Sequence, residues 1–352
     1  MHKPWKMATG IGSLPFKDST GALDLIFANL TEAPHWPQLP ALSARENILN
    51  QFVSPLLKSG LVHTVKDKYV FATGSDEWEN NVLRFYEKVL SLEADRAATA
   101  INDFSFPEDA ATGFYAFLEA LDRKVPDGIR FLKGQVCGPV TLGLQLFDRQ
   151  GLPGFYDDEL RNIITNQLAC QALWQHEKLK KYGYPVIIFI DDPAIVSYGQ
   201  STTVGLSGGQ ITESLALIIK TVQEAGGLAG VHVCAGIDWS LVFDAAPDII
   251  SFDAYGYFPS LLLYAEQLTV FLERGGALSW GLIPTQGERE DVERLRDLFY
   301  DRIRLLARRG VPQRLLENQW LMTPSCGAGS LSINEAVAIY SLTKNLAEAV
   351  RN

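Results

Sequence analysis

Short apolar runs alternate with amphipathic stretches along most of the chain. Eight runs predict strands, and they lie in MATGIGSLPF (7–16), HWPQL (35–39), IRFLKGQVCGPVTLG (129–143), YPVIIFIDDPAI (184–195), GLAGVHV (227–233), DIISFDAYG (248–256), ALSWGLIPT (277–285) and QWLMTPS (319–325). The stretches that follow them repeat apolar residues at helical spacing, as in ITESLALIIKTVQEAGG. Strand–helix units joined by short connections predict an α/β fold, a single (β/α)8 TIM barrel over residues 1–352.

The stretch from about residue 44 to residue 128 departs from this alternation. SARENILNQFVSPLL predicts a helix, LVHTVKDKYVFAT a β-hairpin, and DEWENNVLRFYEKVLSL and GFYAFLEALDRK two amphipathic helices. We expect an insertion between the second and third strands, which either roofs the active site or adds to the outer wall. A two-domain doubly wound sheet is the alternative fold, but no Pro/Gly/Ser-rich linker divides the chain.

Composition narrows the class of protein. With 47% hydrophobic and 20% charged residues, the chain is typical of a globular protein. A net charge of −10 argues against nucleic acid or an anionic membrane as a partner, because both require clustered Lys and Arg. The sequence shows neither a signal-peptide pattern nor an apolar run long enough to span a membrane, so we expect a cytoplasmic protein. Four scattered cysteines predict free thiols or metal ligands rather than disulfides.

His232 and Cys234 stand two positions apart at the end of the apolar run Leu228 to Val233. Alternate side chains of a strand point to the same side, so both can reach one point. Cys326 follows another strand run, and the carboxyl ends of barrel strands share one face. These side chains predict a zinc site, although buried core residues are the alternative interpretation. Asp253 is a candidate for a fourth ligand or for the group that orients His232, or else it anchors a loop.

Two further strand ends carry polar groups. Asp191 and Asp192 end a fully apolar run, which suits acid/base chemistry or the binding of a substrate ammonium group. Alternatively, Asp192 caps a helix or holds a neighbouring loop. Gly12 and Ser13 end the first strand, where backbone N–H groups and a hydroxyl can bind a ligand, or where Ser13 caps a helix.

Taken together, these strand ends resemble the catalytic domain of cobalamin-independent methionine synthase and, more broadly, the uroporphyrinogen decarboxylase-like superfamily, which also contains corrinoid-dependent methyltransferases. GIGSLPF is similar to the family turn that contacts homocysteine, KGQVCGPVTLG to its Gly-Pro-Val-Thr segment, and IDDPA to its Ile-Asp-Glu-Pro-Ala segment. HVC and TPSCG are similar to its zinc segments. The resemblance implies a zinc cofactor held by His232, Cys234 and Cys326. The implied catalytic residues are these three and Asp191. The residues implied to bind substrate are Ile11, Gly12, Ser13, Asp191 and Asp253.

The chain also departs from the family pattern. The family's glutamate ligand falls where this chain has Asp253, at a shorter spacing from the histidine. The family's histidine after the seventh strand has no counterpart in GLIPTQGE. The amino-terminal half that helps folate-dependent enzymes bind polyglutamylated methyltetrahydrofolate is not in this sequence. The resemblance therefore implies a methylcorrinoid or a corrinoid protein as methyl donor.

The expected function is zinc-dependent transfer of a methyl group to a small-molecule thiol, homocysteine or a similar compound. One alternative is a uroporphyrinogen decarboxylase-like decarboxylase, or a hydrolase, that uses Asp191 and Asp192 in acid/base roles. The arginine-rich amino-terminal motif expected of a true uroporphyrinogen decarboxylase is missing. The other alternative is a barrel that binds a corrinoid or a thiol without catalysis.

Overall fold

Ten strands form two sheets in the computed structural model, which describes residues 5–95, 99–200, 203, 205–287 and 290–351. The predicted domain limits, residues 1 and 352, lie outside these ranges. The strands are β1 (Met7–Ala8), β2 (Val62–Val65), β3 (Lys68–Phe71), β4 (Leu132–Cys137), β5 (Leu146–Phe147), β6 (Val186–Asp191), β7 (Leu228–Val233), β8 (Ile249–Phe252), β9 (Ala277–Ile283) and β10 (Trp320–Pro324).

The main sheet is parallel and has seven strands, in the order β1-β10-β9-β8-β7-β6-β4. Each of these strands falls within a predicted run. The predicted second strand, HWPQL, instead forms isolated bridges, from His35 to Lys133 and from Gln38 to Ser13. Proline has no backbone N–H to donate to a neighbouring strand. Pro34 directly precedes His35, and Pro37 lies two residues after it, so this segment cannot form a regular ladder. The structure therefore shows a parallel seven-stranded sheet rather than the complete eight-stranded ring that the sequence predicted.

Helices follow the strands and pack on the sheet. Helix α6 contacts β4 and β6, α7 contacts β7, and α13 contacts β10. The helices are α1 (Ser19–Asn29), α2 (Ile48–Lys58), α3 (Trp78–Ala94), α4 (Thr112–Arg123), α5 (Pro139–Gly143), α6 (Asp158–Lys180), α7 (Gly208–Glu224), α8 (Ser240–Asp244), α9 (Phe258–Leu261), α10 (Ala265–Glu273), α11 (Val292–Arg308), α12 (Gln313–Asn318) and α13 (Ile333–Arg351). Across the described ranges, none of the helices has the length and apolar character needed to cross a bilayer.

The predicted hairpin in the 44–128 stretch is confirmed. Strands β2 and β3 pair antiparallel, and Lys66 and Asp67 form its tip with positive φ angles of 47° and 63°. Strand β5 joins β3 to complete a three-stranded sheet. Helix α4 packs closely against the backbone of the HWPQL segment. A Cβ at Gly113 of α4 would lie only 1.9 Å from the carbonyl oxygen of Pro37.

The inward side of the main sheet changes from apolar to polar toward the strand carboxyl ends. Ile187 and Phe189 of β6 belong to a small buried cluster that also contains Met7 and Leu321. The next residue on the same side of β6 is Asp191. This polarity gradient places the ionisable side chains at the carboxyl edge of the sheet, where the loops can form a site.

Candidate metal centre and substrate cavity

His232, Cys234 and Cys326 come together at the carboxyl edge of the sheet. His232 is the penultimate residue of β7, Cys234 follows that strand, and Cys326 follows β10. One ligand atom from each lies within 4.8 Å of the other two. Two sulfurs bound tetrahedrally at about 2.3 Å from zinc would be roughly 3.8 Å apart, so small side-chain movements would bring the set to bonding distance.

The two ring nitrogens of His232 have different surroundings. Nδ1 forms a 2.9 Å hydrogen bond with the hydroxyl of Ser251 on β8, and Ser251 is fully buried. Nε2 is buried and has no hydrogen-bond partner among the described residues. When Nδ1–H donates to the serine, Nε2 keeps a lone pair that faces the thiols. A ligand atom left without a partner in a buried site fits a metal ion.

The two thiols are electrostatically coupled. A hydrogen bond from Cys234, assisted by the nearby imidazole of His232, holds the pKa of Cys326 well below its ordinary value. The same hydrogen bond, together with burial, raises the pKa of Cys234 well above its ordinary value. These opposite shifts favour a thiolate on Cys326 and a protonated Cys234. Two sulfurs and an imidazole form a donor set that suits zinc, and a thiolate is the form that binds metal.

A cavity of about 410 Å³ opens beside the three ligands, within the usual range for small-molecule sites. Its wall combines apolar side chains with a few polar groups. The lining residues are Ile11, Ser13, Gln38, Pro40, Glu46, Asn47, Ile48, Asp191, Pro193, His232, Cys234, Cys326, Gly327, Gly329 and Ser330. Residues 46–48 belong to the predicted insertion, which therefore covers part of the cavity.

The paired carboxylates have separate surroundings. Asp191 lines the cavity, is 7% exposed, and its Oδ1 atom has no hydrogen-bond partner among the described residues. Burial raises the pKa of Asp191, while His232 and Lys133 act in the opposite direction. Asp192 is fully buried and accepts hydrogen bonds from the backbone N–H groups of Val140 and Thr141, at 3.0 and 2.8 Å. Asp192 therefore holds the start of α5, which leaves Asp191 as the carboxylate facing the cavity.

Asp253 has a local partner in the structure. Its Oδ1 accepts a 2.7 Å hydrogen bond from the backbone N–H of Gly256, and it is not one of the cavity-lining residues. The hydrogen bond that orients His232 is formed with the hydroxyl of Ser251. Ser251 lies on β8 two residues before Asp253, so strand alternation puts both on the same side and could have identified the serine.

The turn after β1 and the loop after β10 are joined at the cavity wall. The backbone N–H of Ala328 donates to the Ser13 carbonyl at 3.0 Å, and that of Gly329 donates to the Ser13 hydroxyl at 3.3 Å. A Cβ at Gly327 would lie 2.1 Å from the Ser13 hydroxyl oxygen, so only glycine allows this approach. The predicted substrate turn and the loop that carries Cys326 therefore form one continuous wall.

Comparisons with known proteins give distant structural matches. No model of a known protein family and no curated protein sequence matches the chain. A B12-independent methionine synthase from Shewanella sp. W3-18-1, solved with selenomethionine, aligns with a TM-score of 0.49 and 17% identity over 68% of this chain and 66% of that chain. A glycoside hydrolase family 138 enzyme targeting pectin rhamnogalacturonan II aligns with a TM-score of 0.29 and 11% identity over 91% of this chain and 63% of that chain. The chain covers less than two thirds of the length of either protein.

Proposed function

We propose that this chain is a zinc-dependent methyltransferase that methylates a small thiol such as homocysteine. The observation that carries the proposal is the trio of His232, Cys234 and Cys326, whose ligand atoms lie within 4.8 Å of one another on the wall of a cavity. We also infer that the sheet belongs to a (β/α)8 barrel. This inference rests on segment 34–38, because Lys133 N–H donates to the Pro34 carbonyl and Gln38 N–H to the Gly12 carbonyl.

In this proposal each residue has a defined task. His232, Cys234 and Cys326 would hold zinc, which when bound favours the thiolate form of a substrate thiol. Asp191, whose Oδ1 atom has no hydrogen-bond partner in the described part of the chain, would bind the substrate ammonium group. Ser13 and the N–H groups near it would bind the substrate carboxylate. The cavity of about 410 Å³ supports an amino-acid-sized thiol, with a larger donor outside its mouth.

The proposed reaction is a displacement at a methyl carbon. The substrate thiol first loses its proton to solvent. Its sulfur then forms the new S–C bond while the bond between the methyl group and the donor breaks, and that bond's electron pair stays on the donor. A methylcorrinoid is the proposed donor, because the corrinoid can keep this electron pair and leave in its reduced form.

The test combines metal analysis with a transfer assay. Protein purified from cells grown with zinc should contain close to one zinc per chain. It should form methionine from methylcobalamin and homocysteine. Cys326→Ser should lose both zinc and transfer, whereas Cys170→Ser should keep both, because Cys170 is a buried free thiol of α6. Full activity in Cys326→Ser would contradict the proposal and favour an acid/base enzyme. Bound zinc without transfer from any methyl donor would favour a binding protein instead.

A further inference from the structure

Lys133 is a fully buried lysine just behind the cavity wall. It lies on β4, and its side chain is 0% exposed. Its ammonium donates to the carbonyl oxygen of Ile11 at 2.6 Å and to Oε1 of Gln135 at 3.4 Å. It also stands 4.4 Å from the centre of the Phe189 ring. Burying a charged group is unfavourable unless strong interactions compensate, so the position of Lys133 calls for a role.

The contacts of Lys133 converge on the turn 11–13. Ile11 and Ser13 line the cavity, and the Ile11 carbonyl is the acceptor in the shortest hydrogen bond that Lys133 makes. Gln135, two residues further along the same side of β4, supports the next residue of the turn. A Cβ at Gly12 would lie 2.9 Å from the Gln135 amide nitrogen. The polar side chains of Lys133 and Gln135 therefore pack against the turn 11–13 from the sheet side.

The charge of Lys133 also acts on the site. Burial lowers the pKa of Lys133 to about 8, and the carboxylate of Asp191 partly offsets that effect. The neighbouring imidazole of His35 is held neutral, since burial and then Lys133 lower its pKa to about 3. Near neutral pH, Lys133 is therefore the positive charge beneath the cavity, on the side of the Ile11 carbonyl.

We propose that Lys133 is a positioning residue, which fixes the turn 11–13 for the carboxylate end of the substrate and thereby selects amino-acid thiols over simple aminothiols. This inference rests on the proposed function for the identity of the cavity as a thiol site. Lys133 touches no substrate in this account. It acts through the Ile11 carbonyl and through its field at the carboxylate end, while Asp191 serves the ammonium end.

The test measures equilibrium binding of two thiols to the zinc-loaded protein by calorimetry. Homocysteine has a carboxylate, and 3-aminopropane-1-thiol is the same molecule without it. Lys133→Met should weaken homocysteine binding about tenfold more than it changes aminothiol binding, equivalent to roughly 1.4 kcal/mol, because its effect on Asp191 is common to both thiols. Lys68→Met is the matched control, because Lys68 also lies over a phenylalanine ring, 5.1 Å from the centre of Phe147, but on the hairpin.

Equal weakening for both thiols, or no weakening for either, would overturn the inference. If Lys133→Met does not fold, Gly12→Ala provides the same comparison, because its added Cβ displaces the turn from the Gln135 amide. A selective loss of homocysteine binding supports the inference even if the wild-type protein transfers no methyl group, which would refute only the proposed function. Wild-type protein that binds neither thiol would refute both.

Discussion

The Ser251 hydroxyl provides the sharpest test of the metal centre. Ser251 is fully buried, lies on β8 directly opposite His232 of β7, and forms a 2.9 Å hydrogen bond with Nδ1 of that histidine. This hydrogen bond fixes the ring orientation and leaves Nε2 directed toward the two thiols. Replacing Ser251 with Ala removes the partner without adding bulk, so the ring loses its fixed tautomer and orientation.

The expected magnitude follows from this geometry. A buried donor or acceptor left without its partner costs about 1–3 kcal/mol, and loss of a group that orients a metal-binding histidine typically weakens metal affinity by about 10–100-fold. A tenfold loss of affinity corresponds to about 1.4 kcal/mol of binding free energy. We expect Ser251→Ala to bind zinc about tenfold or more weakly than the wild-type protein, with its fold retained.

The assay is competition for zinc with a chromophoric chelator, which gives the dissociation constant independently of enzyme activity. Ser279→Ala is the matched control, because Ser279 is the register partner of Ser251 on β9 and is also fully buried, but bonds to Thr323 at 3.2 Å. Unchanged zinc affinity in Ser251→Ala, or an equal loss in Ser279→Ala, would show that the serine does not act through His232.

Three other predictions test the fold and the cavity. Burial lowers the pKa of His35 from 6.5 to about 3, so the unfolded chain takes up a proton that the folded chain does not. The unfolding free energy should therefore fall by up to about 1.4 kcal/mol per pH unit as pH drops from 6.5 toward 3. Urea titrations should show that the unfolding free energy of His35→Gln falls less steeply with decreasing pH than that of the wild-type protein. The exposed control His63→Gln should show the same pH dependence as the wild type. Gly113→Ala should destabilise the fold by about 1–3 kcal/mol, because its Cβ meets the Pro37 carbonyl, and an unchanged melting temperature would contradict this packing. Asp191→Asn should raise KM for homocysteine about tenfold with zinc content unchanged, and an unaltered KM would exclude the ammonium role.

Local pattern predicted the strands of the main sheet and the proximity of His232 and Cys234 at the end of β7. The run Leu228–Val233 is continuous and apolar, and the structure gives β7 those same bounds. Strand alternation then places His232 and Cys234 on one side. Cys326 is different, because the pairing register of β10 with β9 shifts between Thr323 and Pro324. Counting alternate residues along β10 therefore does not locate the third ligand, whose position depends on the loop beyond the strand.

Tertiary contacts decide what the sequence left open. The proline-rich segment HWPQL has the apolar character of a strand, but Pro34 and Pro37 lack the N–H groups that a ladder requires. The role of the insertion depends on Glu46, whose carboxylate accepts hydrogen bonds from Thr112 N–H at 2.7 Å and Gln51 at 3.2 Å. Those bonds hold residues 46–48 over the cavity, and the bond from Thr112 joins parts of the chain whose proximity no local pattern reveals.

The joint between Ser13 and the loop 327–329 has a consequence for biosynthesis. The turn 11–13 is translated more than 300 residues before the loop 327–329, which completes its wall. During translation, His232 and Cys234 emerge before Cys326, and two of the proposed ligands would hold zinc less tightly than all three. In the proposed zinc site, the full set of ligands could form only after residue 326 has been translated, so the cavity wall and the metal site would be completed together.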